Sequence, residues 1–183
     1  MDAGREWVFA DHFLLRKQVD VAVDLRHPLP FEDEVWQGIT MHHVLEHLEY
    51  SDACRLLEEC HRVLKEEGLL RVVVPDAGKA ARLYAAATIH SGDVAPEESI
   101  AALMPEHFGP FATPMAVLNE IFHSIPENRH FFGWDHETLG LAMKEAGFGS
   151  VQVVQAGCSA DPVLGAADNL SWSKFSLYLE ARR

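Results

Sequence analysis

Between Gly68 and Pro75 the chain reads Leu-Leu-Arg-Val-Val-Val, a short continuous β-branched run stopped by proline. A run of this kind reads as a strand covered on both faces, the habit of parallel sheets layered with helices. The segment before it has the opposite period. Leu56, Leu57, Cys60, Val63 and Leu64 fall on one stripe of a helix that Ser51 or Asp52 can cap and that Gly68 is placed to end. A helix feeding a buried strand predicts an α/β domain.

The rest of the chain keeps switching period. Trp7-Val8-Phe9-Ala10 stops at Asp11, Val19 to Val23 stops at Asp24, and Gly38 to Met41 stops at His42-His43. Each reads as a short strand. Pro28 and Pro30 make Leu25 to Phe31 a loop. Ala77 to Ala87 reads as a helix. Gly92 to Pro96, Pro105, Pro110, Pro114 and Pro126 then break the chain, so residues 77–129 are expected to form a helical and loop lid within a single 1–183 domain. Asp135 or His136 starts a further helix, with Leu139, Met143 and Ala146 inward and Gly147 after its end. Val151 to Val154 and Phe175 to Ala181 read as strands, joined by a long loop. In open parallel sheets ligands bind beyond the carboxyl ends of the strands, so Asp11, Asp24, His42, His43 and Asp76 are expected along one edge.

Composition narrows the function classes. Fifteen Lys and Arg against 28 Asp and Glu leave a net charge of −13, a poor match to nucleic-acid phosphates. No run approaches the length of a transmembrane helix, and no signal-like pattern opens the chain. Three cysteines without CxxC spacing suit a reduced, cytoplasmic protein. No nucleic-acid or membrane partner is expected.

Four motifs carry a family resemblance: Asp24-Leu25-Arg26-His27-Pro28-Leu29-Pro30-Phe31, His43-Val44-Leu45-Glu46-His47-Leu48, Arg62 to Gly68 running into Leu70 to Asp76, and His130 to Asp135 leading to Ala146-Gly147-Phe148. In this order the chain resembles class I S-adenosylmethionine (SAM)-dependent methyltransferases of the type 11 group. The resemblance implies a Rossmann-like, mostly parallel sheet with helices on both faces and an antiparallel last strand, Ser176 to Ala181. It also implies SAM as cofactor. Asp11 would accept from the ribose hydroxyls. Asp24 and Leu25 would hold adenine. His42 and His43 would sit beside the transferable methyl, with either able to act as a base. The sequence departs from the family in two places. Glu66-Glu67 stand where the turn usually has Pro-Gly, and the first strand with its glycine-rich loop is absent or replaced.

The expected activity is methyl transfer to a small-molecule or sugar-like acceptor. The alternatives are a methyltransferase-like binding or scaffold protein, or a truncated gene model of an active enzyme. Loss of a central strand leaves an exposed edge. It is expected to be filled by Trp7–Ala10 or covered in a homodimer. The His43-x-x-Glu46-His47 spacing also resembles an inverted zinc-peptidase motif. A third ligand would come from His107, His123 or His130, and no spacing selects one. No metal is expected. Cys54 and Cys60 read as packing residues. His107, His123 and His130, with Tyr84, Phe108, Phe111, Phe122 and Trp134 near them in sequence, read as a loop layer packed on the core, a region that the resemblance implies shapes the acceptor pocket.

Overall fold

A computed structural model of the chain describes residues 7–8, 10–11, 20–89, 100–103, 113–123 and 129–183. Its main sheet has four strands. β3 (Trp36–His42) runs parallel to β4 (Leu64–Pro75), and β6 (Ser176–Arg182) lies antiparallel between β4 and β5 (Ser150–Val154). A separate parallel pair joins β1 (Ala10–Asp11) to β2 (Val21–Ala22), two residues each. The expectation that Trp7–Ala10 fills the missing strand's place in the sheet is corrected here. Among the described residues Ala10 pairs with Val21, and β3 pairs with β4 alone.

Residues of even number on β4 and odd number on β6 face one layer. There Leu70, Val72, Val74, Leu177 and Leu179 meet Leu56, Leu57 and Cys60 of α1 (Tyr50–Val63) and Leu139 and Met143 of α4 (His136–Glu145). Each Leu enclosed there contributes about 1.5–3 kcal/mol of transfer free energy. The start of α1 differs from expectation. Glu49 holds the cap position without a side-chain bond, and the helix begins one residue before Ser51. Its end differs too: α1 stops at Val63 and runs straight into β4, so Gly68 lies within the strand. Residues 65–68 bulge between the Trp36–Leu64 and Gly38–Leu69 pairs. Glu67 takes a left-handed φ of 60° there, and a Cβ on Gly68 would sit 2.7 Å from the Lys65 carbonyl.

α4 follows its sequence signals closely. Asp135 caps it, accepting from the Thr138 amide at 2.8 Å. Gly147 (φ 106°) ends it, with Gly147 N–H on Lys144 and Phe148 N–H on Met143, the paired bonds of a Schellman motif. α2 (Ala77–Ile89), a 3₁₀ turn at Ile100–Leu103 and α3 (Pro114–His123) build a second small core of Ala80, Ile100, Leu103, Val117 and Ile121. The expected lid is therefore a packed helical layer wherever it is described. The long loop before β6 carries α5 (Pro162–Ala166) and a 3₁₀ turn at Leu170–Trp172. It closes the other face of the sheet, with Leu164 against Gly38.

Candidate active site

β3 ends at the carboxyl edge of the parallel pair, and the two residues that follow Met41 line a cleft there. Its volume is about 160 Å³, and its walls are His42, His43, Val73, Asn169, Trp172 and Tyr178. The strand delivers both histidines by an abrupt change of backbone. His43 adopts φ 53°, uncommon for a residue with a Cβ. Its N–H still bonds the Val73 carbonyl at 2.8 Å. The chain thus leaves the sheet with its register intact and its next side chain re-aimed.

The two rings are held differently. His42 shares a 2.7 Å hydrogen bond between Nε2 and the Thr40 hydroxyl, and Nε2 lies 3.8 Å from Asp168. Burial pushes its pKa below the usual value. Asp168 opposes that push, while Arg71 and His43 add to it. The ring is therefore neutral near pH 7. His43 hydrogen-bonds the Ser176 hydroxyl through Nε2 at 2.9 Å, while its Nδ1 lies 3.0 Å from Glu46 without hydrogen-bond direction. Its ring meets Trp172 edge-on at 4.3 Å and stacks with Phe175 at 5.8 Å.

Beneath the cleft lies a charge cluster. Arg71, wholly buried, donates to Asp168 at 3.0 and 2.5 Å, to Glu180 at 2.7 Å, and to the Cys158 and Gln155 carbonyls. The carboxylates are themselves completed by backbone amides, Gly157 N–H on Asp168 and Ala160 N–H on Glu180. A buried ion pair recovers its desolvation cost only when the remaining donors and acceptors are filled, as here. The cluster fastens residues 155–169 to the sheet and so fixes the wall that carries Asn169 and Trp172.

The other expected site residues are not in the cleft. Asp24 follows β2 and is gripped by Arg26, from Nε at 2.9 Å, from Nη2 at 2.7 Å and from the backbone amide at 3.1 Å. The Arg26 side-chain bond, then the Arg26 backbone amide, hold that carboxyl far below the usual range. Leu25 is half-buried and its side chain packs against the main core. Asp11 pairs with Ala22, but its side chain lies outside the described residues. Asp76 ends β4 as a cap for α2, accepting from Lys79 N–H at 2.7 Å. His107, Phe108, Phe111 and the side chain of His123 also lie outside the described residues.

Two of the sequence motifs prove to be one structure. Arg62 of α1 donates to the Leu29 and Phe31 carbonyls at 3.1 and 2.9 Å, and Glu59 accepts from Leu29 N–H at 2.7 Å. Asp33 and Glu59 close the Arg62 network. This pins the Pro-rich loop that follows Asp24-Leu25. The inverted zinc-peptidase motif that the His43-x-x-Glu46-His47 spacing resembles needs both histidines on one helix face, and residues 45–47 do not provide it. They form a 3₁₀ turn after the left-handed His43, so His43 and His47 do not share an α-helical face. Cys60 is a packing residue as expected, its thiol pushed up to about 12 by burial.

Residues 8–72 match the model of a methyltransferase-domain family. No curated protein matches. Among solved structures, the chain is similar to a SAM-dependent methyltransferase from Archaeoglobus fulgidus, with TM-score 0.51 and 12 % identity, over 95 % of this chain and 74 % of that one. It is similar to a possible histamine N-methyltransferase from Thermotoga maritima, with TM-score 0.49 and 20 % identity, over 90 % and 64 %. A third is human N-acetylserotonin methyltransferase in complex with SAM, with TM-score 0.47 and 17 % identity, over 94 % and 36 %. The chain thus spans less than two thirds of the length of the last two. The fold is the Rossmann-like one of the Archaeoglobus enzyme.

Proposed function

We propose that this chain is a class I SAM-dependent methyltransferase that transfers a methyl group from SAM to a small-molecule or sugar-like acceptor, a reading supported by the methyltransferase-domain match over residues 8–72. The observation that carries this reading is the cleft at the carboxyl edge of β3, where His42 and His43 face Asn169, Trp172 and Tyr178.

The residues present fit the adenine end of SAM. Leu25 N–H donates to no group among the described residues, and beside it stands the ionised Asp24 carboxylate. One amide donor and one adjacent carboxylate acceptor match a ring nitrogen and an exocyclic amine. A carboxylate has lone pairs beyond the two that Arg26 uses, so Asp24 can accept again. SAM held there would supply an electrophilic methyl, its C–S bond breaking as the acceptor's nucleophile bonds to the methyl carbon and the neutral thioether of S-adenosylhomocysteine leaves. His42 receives the proton that a hydroxyl or amine acceptor must lose. It is placed for this, because only its Nε2 is hydrogen-bonded among the described residues and its Nδ1 is left to accept. His43, anchored through Nε2 on the Ser176 hydroxyl, positions the wall. Most of the rate enhancement then comes from holding the two reactants together. The free thiols Cys54, Cys60 and Cys158 suit a reducing cytoplasm.

Calorimetric titration with SAM, followed by an assay of S-adenosylhomocysteine release against an acceptor panel, tests this. The wild-type chain is expected to bind SAM, and Asp24→Ala to weaken binding about tenfold. His42→Asn is expected to leave binding unchanged and to lower turnover about 10²-fold. No binding at millimolar SAM would overturn the reading. Arg26, already clamped on Asp24, would then mark the chain as a binding or scaffold protein of the same fold.

A further inference from the structure

A second cluster sits behind His43, away from the cleft. Glu46 is 1 % exposed, and among the described residues neither of its carboxylate oxygens accepts a hydrogen bond. The His43 contact at 3.0 Å falls outside hydrogen-bond direction. A buried carboxylate left in that condition is strongly unfavourable unless a cation completes it. Two imidazoles face it. His47 Nδ1 lies 3.1 Å from the Arg129 carbonyl and His130 Nδ1 lies 2.6 Å from the Ile121 carbonyl. A carbonyl can only accept, so both Nδ1 atoms carry the proton. Among the described residues both Nε2 lone pairs are then left without a hydrogen bond, with the rings edge to face at 4.9 Å. Metal-ligating histidines are oriented in just this way, one nitrogen donating to a carbonyl and the other reaching the ion.

We propose that Glu46, His47 and His130 form a binding site for one divalent transition-metal ion, with zinc the best match. The three ligand atoms already lie within 4.8 Å of one another. A tetrahedral zinc with bonds of about 2.0–2.1 Å sets its ligands about 3.3 Å apart. Rotation of the half-buried His47 ring supplies much of that closure. Two imidazoles and one carboxylate select zinc or a similar ion over calcium and magnesium, which prefer all-oxygen shells. The ion would tie the 3₁₀ turn at 45–47 to the segment before α4, where Phe131 N–H already bonds the Glu46 carbonyl at 2.7 Å. It would also back the His43 ring through Glu46. Three protein ligands leave the fourth position to water. None of this depends on SAM binding.

Tag-free protein is equilibrated with zinc chloride, dialysed against zinc-free buffer and assayed for metal by mass spectrometry. About one zinc per chain is expected. Glu46→Gln, His47→Gln and His130→Gln are each expected to lose it, while the exposed His27→Gln keeps it. X-ray absorption on the wild-type chain decides the matter even if a variant fails to fold. It is expected to show a nitrogen and oxygen shell with imidazole scattering. No retained zinc in the wild type, a sulfur shell, or full retention in both histidine variants would overturn the proposal.

Discussion

On one face of the sheet Leu70, Val72 and Val74 meet the leucines of α1 and α4. On the other, one residue out of step, Arg71 meets Asp168 and Glu180 with no exposure at all. The strand is the same, yet the two coverings answer to different physics. The apolar face is closed by two regular helices, and its attraction is non-directional. Any side chain of the right size and shape would serve there. The charged face is closed by an irregular loop with little apolar area, so specific bonds must hold it in place. Those bonds bring Asn169 and Trp172 to the cleft wall. The less interchangeable covering therefore sits where geometry matters to a site.

Breaking each face separately sharpens that contrast. Arg71→Ala leaves two buried carboxylates uncompensated and is expected to cost about 3–5 kcal/mol in urea unfolding. It should also release residues 155–169, read as faster amide exchange there than in α1. Leu57→Ala, on the apolar face, is expected to cost about 3 kcal/mol while leaving the loop protected. Equal exchange in the two variants would erase the distinction.

Acid should also tell the faces apart. Burial pushes Asp168 up, but the Arg71 bonds and the Gly157 amide outweigh it and leave its pKa below the ordinary 3.8. Its contribution is complete above that value and is lost as pH falls beneath it. His42 and His61 are held below 6.5, first by burial. Protonation therefore favours the unfolded chain, and their contribution fades as pH falls from about 6.5. Urea midpoints are expected to drop between pH 7 and 5, and again below 4. In Arg71→Ala the second drop should shrink, whereas in Leu57→Ala the whole curve should fall in parallel.

The smallest expected effect lies in the bulge between helix and strand. Glu67 sits at φ 60°, a conformation that costs a residue with a Cβ about 1 kcal/mol. Glu67→Gly is expected to raise stability by less than about 1 kcal/mol, since the added glycine entropy offsets part of the gain. A loss of stability in thermal unfolding would refute the strain.

Much of this architecture was legible in the residues. The β-branched run at 69–74, the stripe of α1 and the Asp135 and Gly147 signals of α4 are local, and local signals survive folding. The cleft histidines were legible too, because they end a strand. The charge cluster was not, because its members are 109 positions apart and only the fold joins them. The single sign was a charge inside each of two apolar runs, Arg71 within 69–74 and Glu180 within 177–181. Likewise Arg62 gave no hint of its grip on the Leu29 loop, 33 positions away. The His47–His130 contact needed the fold to choose among three histidines.

The placement of β6 carries a last consequence, for how the chain is made. This strand is a central one, pairing with β4 through Leu69 to Pro75 and with β5 through Ser150 to Val154. While the polypeptide is being synthesised, β3, α1 and β4 emerge together and can associate early. Beside them β4 presents an open, apolar edge until residues 176–182 arrive. At about 5–20 residues per second that interval lasts several seconds, long enough to make the nascent chain a client for a holding chaperone.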